Sequence, residues 1–202
     1  PTPALTQIDT DGYGRVLVTQ YSNEIEETPF HVFLSRDFGQ SWDLILDIVE
    51  DLPDASSQNH VHCVRFDPYD NWIWVAMGDV PPASQVLVSP NEGETWHPIY
   101  PWNDAQVQAT EIMLFPDHVV LGPDTARHEG LIYIPRGMIR HRVFNGEPLN
   151  LHDLYFENIW AHGGNEVSFY TSSTQSHSQR LGYPGRPLVA VGMDARANRG
   201  SP

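Results

Sequence analysis

The 202-residue chain reads as an all-β protein, and two observations carry that reading. Short runs of β-branched and aromatic residues recur between clusters of Gly, Pro, Asn and Asp. Seventeen prolines and fifteen glycines punctuate those runs and disfavour long helices. The composition agrees, because 40% hydrophobic and 18% charged residues describe a globular chain rather than a disordered or coiled-coil one.

Taken in order, strand patterns fall at 15–21, 31–35, 61–66, 72–77, 85–89, 111–115, 118–121, 130–135, 140–144, 166–171 and 187–191. The segment 42–52 reads two ways. Leu44, Ile45, Ile48, Val49 and Leu52 sit at near-helical spacing, while 42–48 also suits a buried strand. An internal repeat decides for the strand. The stretch from His31 to Trp42 aligns without a gap on the stretch from Gln85 to Trp96.

The shared string is Ser35-x-Asp37-x-Gly39-x-Ser41-Trp42, repeated as Ser89-x-Asn91-x-Gly93-x-Thr95-Trp96. Its chemistry is that of a plugged hairpin. The Asp or Asn side chain accepts bonds from nearby backbone N–H groups, Gly supplies a positive φ, and the hydroxyl satisfies the turn. The Trp is expected to close the loop by packing under the sheet.

This string resembles the Asp-box, or BNR, repeat of sialidase-like β-propellers, with Ser41 where Thr is commoner and Asn91 where Asp is. The resemblance implies a β-propeller whose boxes lie on the outer hairpins, away from the central site. Four-stranded blades are then expected over 4–52, 58–102, 108–148 and 154–195, with a tail at 196–202. The second blade has its strands at 61–66, 72–78, 85–89 and 96–100. The third ends in strand 140–144, its box lost at Arg136-Gly137. About four blades suit either a small ring or part of a larger one of roughly six or seven.

Charge narrows the partners. There are 26 acidic residues against 11 basic ones, for a net charge of -15. Nucleic acid is an unsuitable partner, since phosphate binding needs a basic footprint. All eleven basic residues are arginine. Acid excess without lysine fits a high-salt habitat, where screening weakens self-repulsion, and a GC-rich coding bias would leave the same trace. No apolar run approaches the roughly 20 residues of a membrane span, so no membrane insertion is expected. Cys63 is the single cysteine and excludes an internal disulfide; in mid-strand it reads as a buried, inert thiol. No basic region followed by an apolar stretch opens the sequence at Pro1, so a signal peptide is expected to have been removed or never to have existed, and a fragment is the further alternative.

The candidates for chemistry are the polar residues that the propeller reading places on inner strands and at strand ends. His60 and His62 share one face of a strand. Asp79 and Asp124 close the second strands of adjacent blades, and with His128 these residues are candidates for a zinc- or manganese-type His/Asp site. A divalent metal ion is therefore the one candidate cofactor. The same residues also suit capping and channel-lining hydrogen bonds, because no spacing here is as specific as the helix-borne zinc motifs.

A glycoside hydrolase needs two carboxylates across the scissile bond, and Asp79 with Asp124 is the candidate catalytic pair. The sialidase signature Phe/Tyr-Arg-Ile-Pro is absent, Tyr133-Ile-Pro-Arg136 having similar letters in another order. Neither a nucleophile elbow nor a phosphate-binding glycine loop is present. Trp42 and Trp96 are box plugs, Trp72 and Trp74 suit packing between blades, and Trp102 and Trp160 are candidates for stacking on sugar rings, with partial burial against a blade as the plainer alternative.

The reading that follows is a non-catalytic, surface-exposed propeller module that binds a glycan or cell-surface receptor, or assembles with other structural proteins or copies of itself. It would sit on a cell surface or virion exterior, with a glycoside hydrolase as the alternative. Fold alone does not decide between them.

Overall fold

The computed structural model describes residues 4–21, 31–48, 60–78, 84–101, 108–123, 131–151, 155–156, 167–169 and 191–193. Half-buried alternating segments and tight polar turns produce three four-stranded antiparallel meanders. The first contains β1 (Ala4–Thr10), β2 (Val16–Tyr21), β3 (His31–Ser35) and β4 (Asp43–Asp47) in spatial order. The second contains β5 (Val61–Phe66), β6 (Ile73–Met77), β7 (Gln85–Ser89) and the short β8 (His97–Pro98). Its last strand is clipped at Pro98, which cannot donate to a ladder and belongs at an edge.

The third sheet orders β9 (Ala109–Leu114), β10 (His118–Pro123), β11 (Leu131–Pro135) and β12 (Tyr155–Phe156). Two expectations are corrected here. The strand expected at 140–144 is helical, part of α1 (Arg136–Asn145). Tyr155, expected to open a fourth blade, pairs with Ile132 and completes the third sheet. The reason is the burial period: Arg136, Ile139, Arg142 and Val143 are the buried residues of the segment, a helical spacing rather than alternation. Gly146, at φ 81°, ends the helix by donating its N–H to the Arg142 carbonyl. A separate pair joins β13 (Val167–Phe169) to β14 (Val191–Met193). No helix among the described residues is long and apolar enough to cross a membrane.

The second sheet is covered on both faces. Val64, Phe66, Ile73, Val75 and Leu87 pack with Leu17, Leu34 and Leu46 of the first sheet. Alternate residues Cys63, Trp74, Ala76, Val86 and Val88 pack with Ile112, Leu114, Val119 and Leu121 of the third, and with Ile139 of α1. Strand alternation sends successive side chains to opposite faces, so every residue of β6 and β7 is buried. The third sheet's far face carries a smaller cluster of Met113 and Val120 with Phe115 and Tyr133, and β13 packs on that sheet beside β9 and β10.

Strands β1, β5 and β9 lie side by side as the innermost strands of successive blades. Charge joins them: the Phe66 N–H donates to Asp9 Oδ2 at 2.7 Å, and Arg65 Nη2 donates to Glu111 Oε1 at 2.5 Å. Burial opposes the charge on Arg65, but the neighbouring Cys63, Glu111 and Asp9 hold its pKa above the ordinary value. Cys63 is buried against Glu111, and burial pushes its thiol well up, which makes it inert.

Trp74 is fully buried, and its indole N–H donates to Asp67 Oδ2 at 3.1 Å. Replacing it by Ala leaves a cavity between two blades, and denaturant unfolding should read a loss of about 3–5 kcal/mol.

Candidate functional site

The two copies of the repeated string, called boxes below, form the hydrogen-bonded loops that their residues predict. In the first, Ser35 Oγ donates to Asp37 Oδ1 at 2.8 Å and accepts from the Gly39 N–H at 2.8 Å. The Ser41 hydroxyl and N–H both donate to the Asp37 carboxylate, at 2.6 and 2.8 Å. In the second, Asn91 Oδ1 alone accepts from Ser89 Oγ, the Thr95 N–H and Thr95 Oγ1 at 3.1, 2.9 and 3.1 Å. Phe38 and Glu92 occupy the same left-handed position, at φ 61° and 56°.

Their tryptophans behave differently, which corrects the expectation that both pack under the sheet. Trp96 donates its indole N–H to the Ile45 carbonyl of the neighbouring blade at 3.0 Å and packs against the core. Trp42 donates to Gly39 of its own loop at 3.1 Å and stays 41% exposed. Gly93 explains the close docking of the second box: a Cβ there would lie 2.6 Å from Ile45 Cβ, whereas one on Gly39 would only meet Trp42 at 3.5 Å.

Beside the boxes lie the turns that join each innermost strand to the next. Both open on an aspartate with a tyrosine two residues later, Asp11-Gly-Tyr13 and Asp67-Pro-Tyr69. Asp11 Oδ1 accepts from the Tyr13 and Arg15 N–H groups at 2.7 and 3.0 Å, and Oδ2 from Arg15 Nε at 2.7 Å. Asp67 Oδ1 accepts from the Tyr69 and Asp70 N–H groups at 2.9 and 3.3 Å. Such side-chain to backbone bonds fix the turns. The Asp-x-Tyr repeat was a legible signal that the sequence reading missed.

Arginines tie each turn to the next blade. Arg15 donates from Nη1 to Glu92 at 2.8 Å and from Nη2 to Asn71 at 2.6 Å, and its guanidinium lies 4.9 Å from the Phe66 ring centre. Glu92 also accepts from Arg36 Nε at 2.8 Å. Burial opposes ionisation of Asp11 and Glu92, but their arginine bonds prevail and hold both carboxyls below their ordinary values. Arg136, 2% exposed, grips Asp67 bidentately at 2.5 and 2.9 Å and Asp70 at 2.6 Å. Arg140 adds a second hold on Asp70 at 2.6 Å.

Between the two turns lies a cleft of about 330 Å³, lined by Asp11, Tyr13, Arg15, Phe66, Asp67, Pro68, Tyr69 and Asn71. Tyr13 is 81% exposed and Tyr69 38%. Every charged group of this lining has a charged partner: Asp11 with Arg15, and Asp67 with Arg136. The cleft therefore presents aromatic faces, an amide and hydroxyl groups beside carboxylates that are already held in ion pairs. A second, more open groove of about 480 Å³ runs between β4 and the second box, with Asp43, Asp47, Glu92 and Glu94 on its walls.

Of the residues singled out by sequence, His60 and His62 are brought together, with their Nε2 atoms 2.6 Å apart. Asp79, Asp124, His128, Trp102 and Trp160 lie outside the described residues. Trp72 and Trp74 lie in the core between the second and third blades.

No family model matches the chain, and no curated protein matches it. Solved structures do. A prolyl endopeptidase from a study of two such enzymes is similar at 12% identity and TM-score 0.50, over 85% of this chain and 21% of that one. YCF48 bound to a D1 peptide is similar at 13% identity and TM-score 0.43, over 66% and 37%. YCF48 from Cyanidioschyzon merolae is similar at 15% identity and TM-score 0.41, over 68% and 35%. The chain thus spans well under half the length of each. At such identities the likeness concerns the fold alone. These neighbours are β-propeller proteins, and the chain has the fold of a partial β-propeller.

At the acceptor that closes each loop, the first box carries a titratable Asp37 and the second a neutral Asn91. Bonds from the Ser41 hydroxyl, the Ser41 N–H and the Ser35 hydroxyl hold the Asp37 carboxyl at about 2, against an ordinary 3.8. A depressed folded-state pKa stabilises above the unfolded value and is lost as pH falls through the folded one. Thermal unfolding between pH 4 and pH 2 should therefore show a fall that Asp37→Asn reduces, since Asn91 already serves the second box without a charge.

Proposed function

We propose that the chain is a non-catalytic binding module, a β-propeller of the Asp-box kind that sialidase-like proteins carry, and that it holds a neutral glycan in the cleft between Tyr13 and Tyr69. The observation that carries this reading is the pairing of two exposed tyrosines on aspartate-anchored turns across a cleft whose charges are internally neutralised. An amphipathic ring offers an apolar face and a polar handle at once. The cleft volume falls at the small end of ligand sites. Aspartate bonds to the tyrosine N–H groups fix the turns from which both rings project, which spares the ordering cost of a mobile loop.

The carboxylates that a hydrolase would need here are committed elsewhere, Asp11 to Arg15 and Asp67 to Arg136 and Trp74. That supports binding over cleavage at this end of the molecule. The lysine-free, acidic sequence supports an exposed position on a cell surface or virion exterior in salty surroundings.

Isothermal titration of the chain with a panel of neutral hexose and N-acetylhexosamine oligosaccharides tests the reading. Binding should appear for at least one, and Tyr13→Ala should weaken it by about tenfold, the upper end of one aromatic contact, without changing the unfolding midpoint. If no oligosaccharide binds, or binding survives both Tyr13→Ala and Tyr69→Ala, the proposal falls.

Assembly is a second reading, favoured by the difference between the boxes. The second box has a neighbouring strand to sit on, while Phe38, Trp42 and Leu44 of the first blade are 76%, 41% and 49% exposed. Exposed apolar side chains on one loop and the strand that follows it suit an interface. Sedimentation across a concentration series should show self-association that Leu44→Arg abolishes; a chain that stays monomeric throughout would end this reading.

A further inference from the structure

We propose that His60 and His62 form a binding site for a divalent transition-metal ion of the zinc, nickel or copper type, at the opposite end of the second blade from its Asp-box. The two imidazoles converge. Their Nε2 atoms are 2.6 Å apart, and the ring centres are 4.4 Å apart at a tilt of 52°.

The backbone sets this up. The ladder between β5 and β6 jumps from Val61 opposite Met77 to Cys63 opposite Ala76, so His62 is the extra residue of a β-bulge. Bulges re-aim side chains and recur beside functional sites. The His60 carbonyl is held by the Gly78 N–H at 2.8 Å, which fixes the start of the strand from which the first imidazole projects.

The protonation pattern follows from one contact. His62 Nδ1 lies 2.9 Å from the Ala109 carbonyl oxygen of the next blade. A carbonyl only accepts, so Nδ1 carries the hydrogen and, in the neutral ring, Nε2 presents its lone pair towards His60. A histidine that donates its remote N–H to a backbone carbonyl and turns the other nitrogen to a shared point has the usual outer arrangement of a metal ligand. Imidazole nitrogen selects zinc, nickel and copper over magnesium or calcium.

With His62 Nε2 as acceptor, the short approach requires His60 Nε2 to carry the hydrogen. A metal between the two nitrogens would need His60 in its other neutral tautomer, with that hydrogen on Nδ1. With metal–nitrogen bonds of about 2.0–2.1 Å and a tetrahedral angle, the two atoms would open to roughly 3.3 Å, a small rotation of either ring. Among the described residues no group of three or more His, Cys, Asp or Glu side chains gathers at one point, so the pair supplies two ligands and the remaining positions go to water or to other side chains. Two imidazoles give a modest site, of micromolar rather than structural-zinc affinity.

The test is titration of the chelator-treated full chain with zinc chloride, followed by calorimetry and by imidazole nitrogen NMR. We expect one ion per chain, a rise in melting temperature on addition, and selective shifts of the His60 and His62 Nε2 resonances. His60→Gln and His62→Gln should each weaken binding by about tenfold or more. Absence of binding, binding that neither substitution alters, or zinc-induced shifts at other histidines would overturn the proposal and leave a simple hydrogen-bonded pair. The NMR measurement on the unaltered chain decides the matter even if a glutamine variant fails to fold.

Discussion

The structure depends on the middle sheet having no polar face. Buried residues fill both sides of β5, β6 and β7, so the sheet exists only when a blade stands on each flank. An antiparallel sheet normally leaves one face to water and shows clean alternation. Here the chain trades that independence for stacking, and its core lies between sheets rather than within any one of them. Fully burying a large side chain is worth roughly 1.5–3 kcal/mol, and each interface collects many of them.

Polar joints then set the register of blade on blade, and two solutions appear. Between the first and second blades the joint is the second repeat loop: Trp96 reaches the Ile45 carbonyl and Gly93 makes the room. Between the second and third blades the position after the third strand is a helix, whose first residue Arg136 is buried against Asp67 and Asp70. Removing one partner of such a buried pair costs about 3–5 kcal/mol, so the helix is fixed to the second blade more firmly than its own sequence requires. It has no side-chain cap at its start and no acidic residue in its first turn, so tertiary contacts hold it in place.

Much of this is legible in the sequence. The box string has a local chemistry that any context preserves, and Trp72 and Trp74 announce a buried strand by their shared face. What escaped was decided by distant partners. Arg140 to Phe144 alternates well enough to pass for a strand, and only the placement of Ile139 and Val143 against the second blade makes it helical. The innermost strand β1 went unread because Ala4 to Thr10 mixes apolar and polar residues. Its Asp9 gains meaning only from the Phe66 N–H of the next blade. The tyrosine cleft was missed because each Asp-x-Tyr turn is ordinary alone and lines a cleft only when two blades bring the turns side by side.

The two boxes separate what a motif encodes from what its surroundings add. The loop geometry is the same in both: the same serine and acid or amide pattern, the same left-handed pair of residues, the same hydroxyl closing the turn. Docking is not part of it, since Trp42 satisfies its N–H within its own loop while Trp96 takes a carbonyl from the neighbour. Position within the loop then tunes the contact. Glu92 bridges Arg15 and Arg36 across the joint, and Phe38 stands in the equivalent place of the first box. A charge at that position suits a neighbour that offers arginines; an exposed aromatic suits an apolar one. The same repeat thus gives one box the chemistry of an internal joint and the other the chemistry of an outward face.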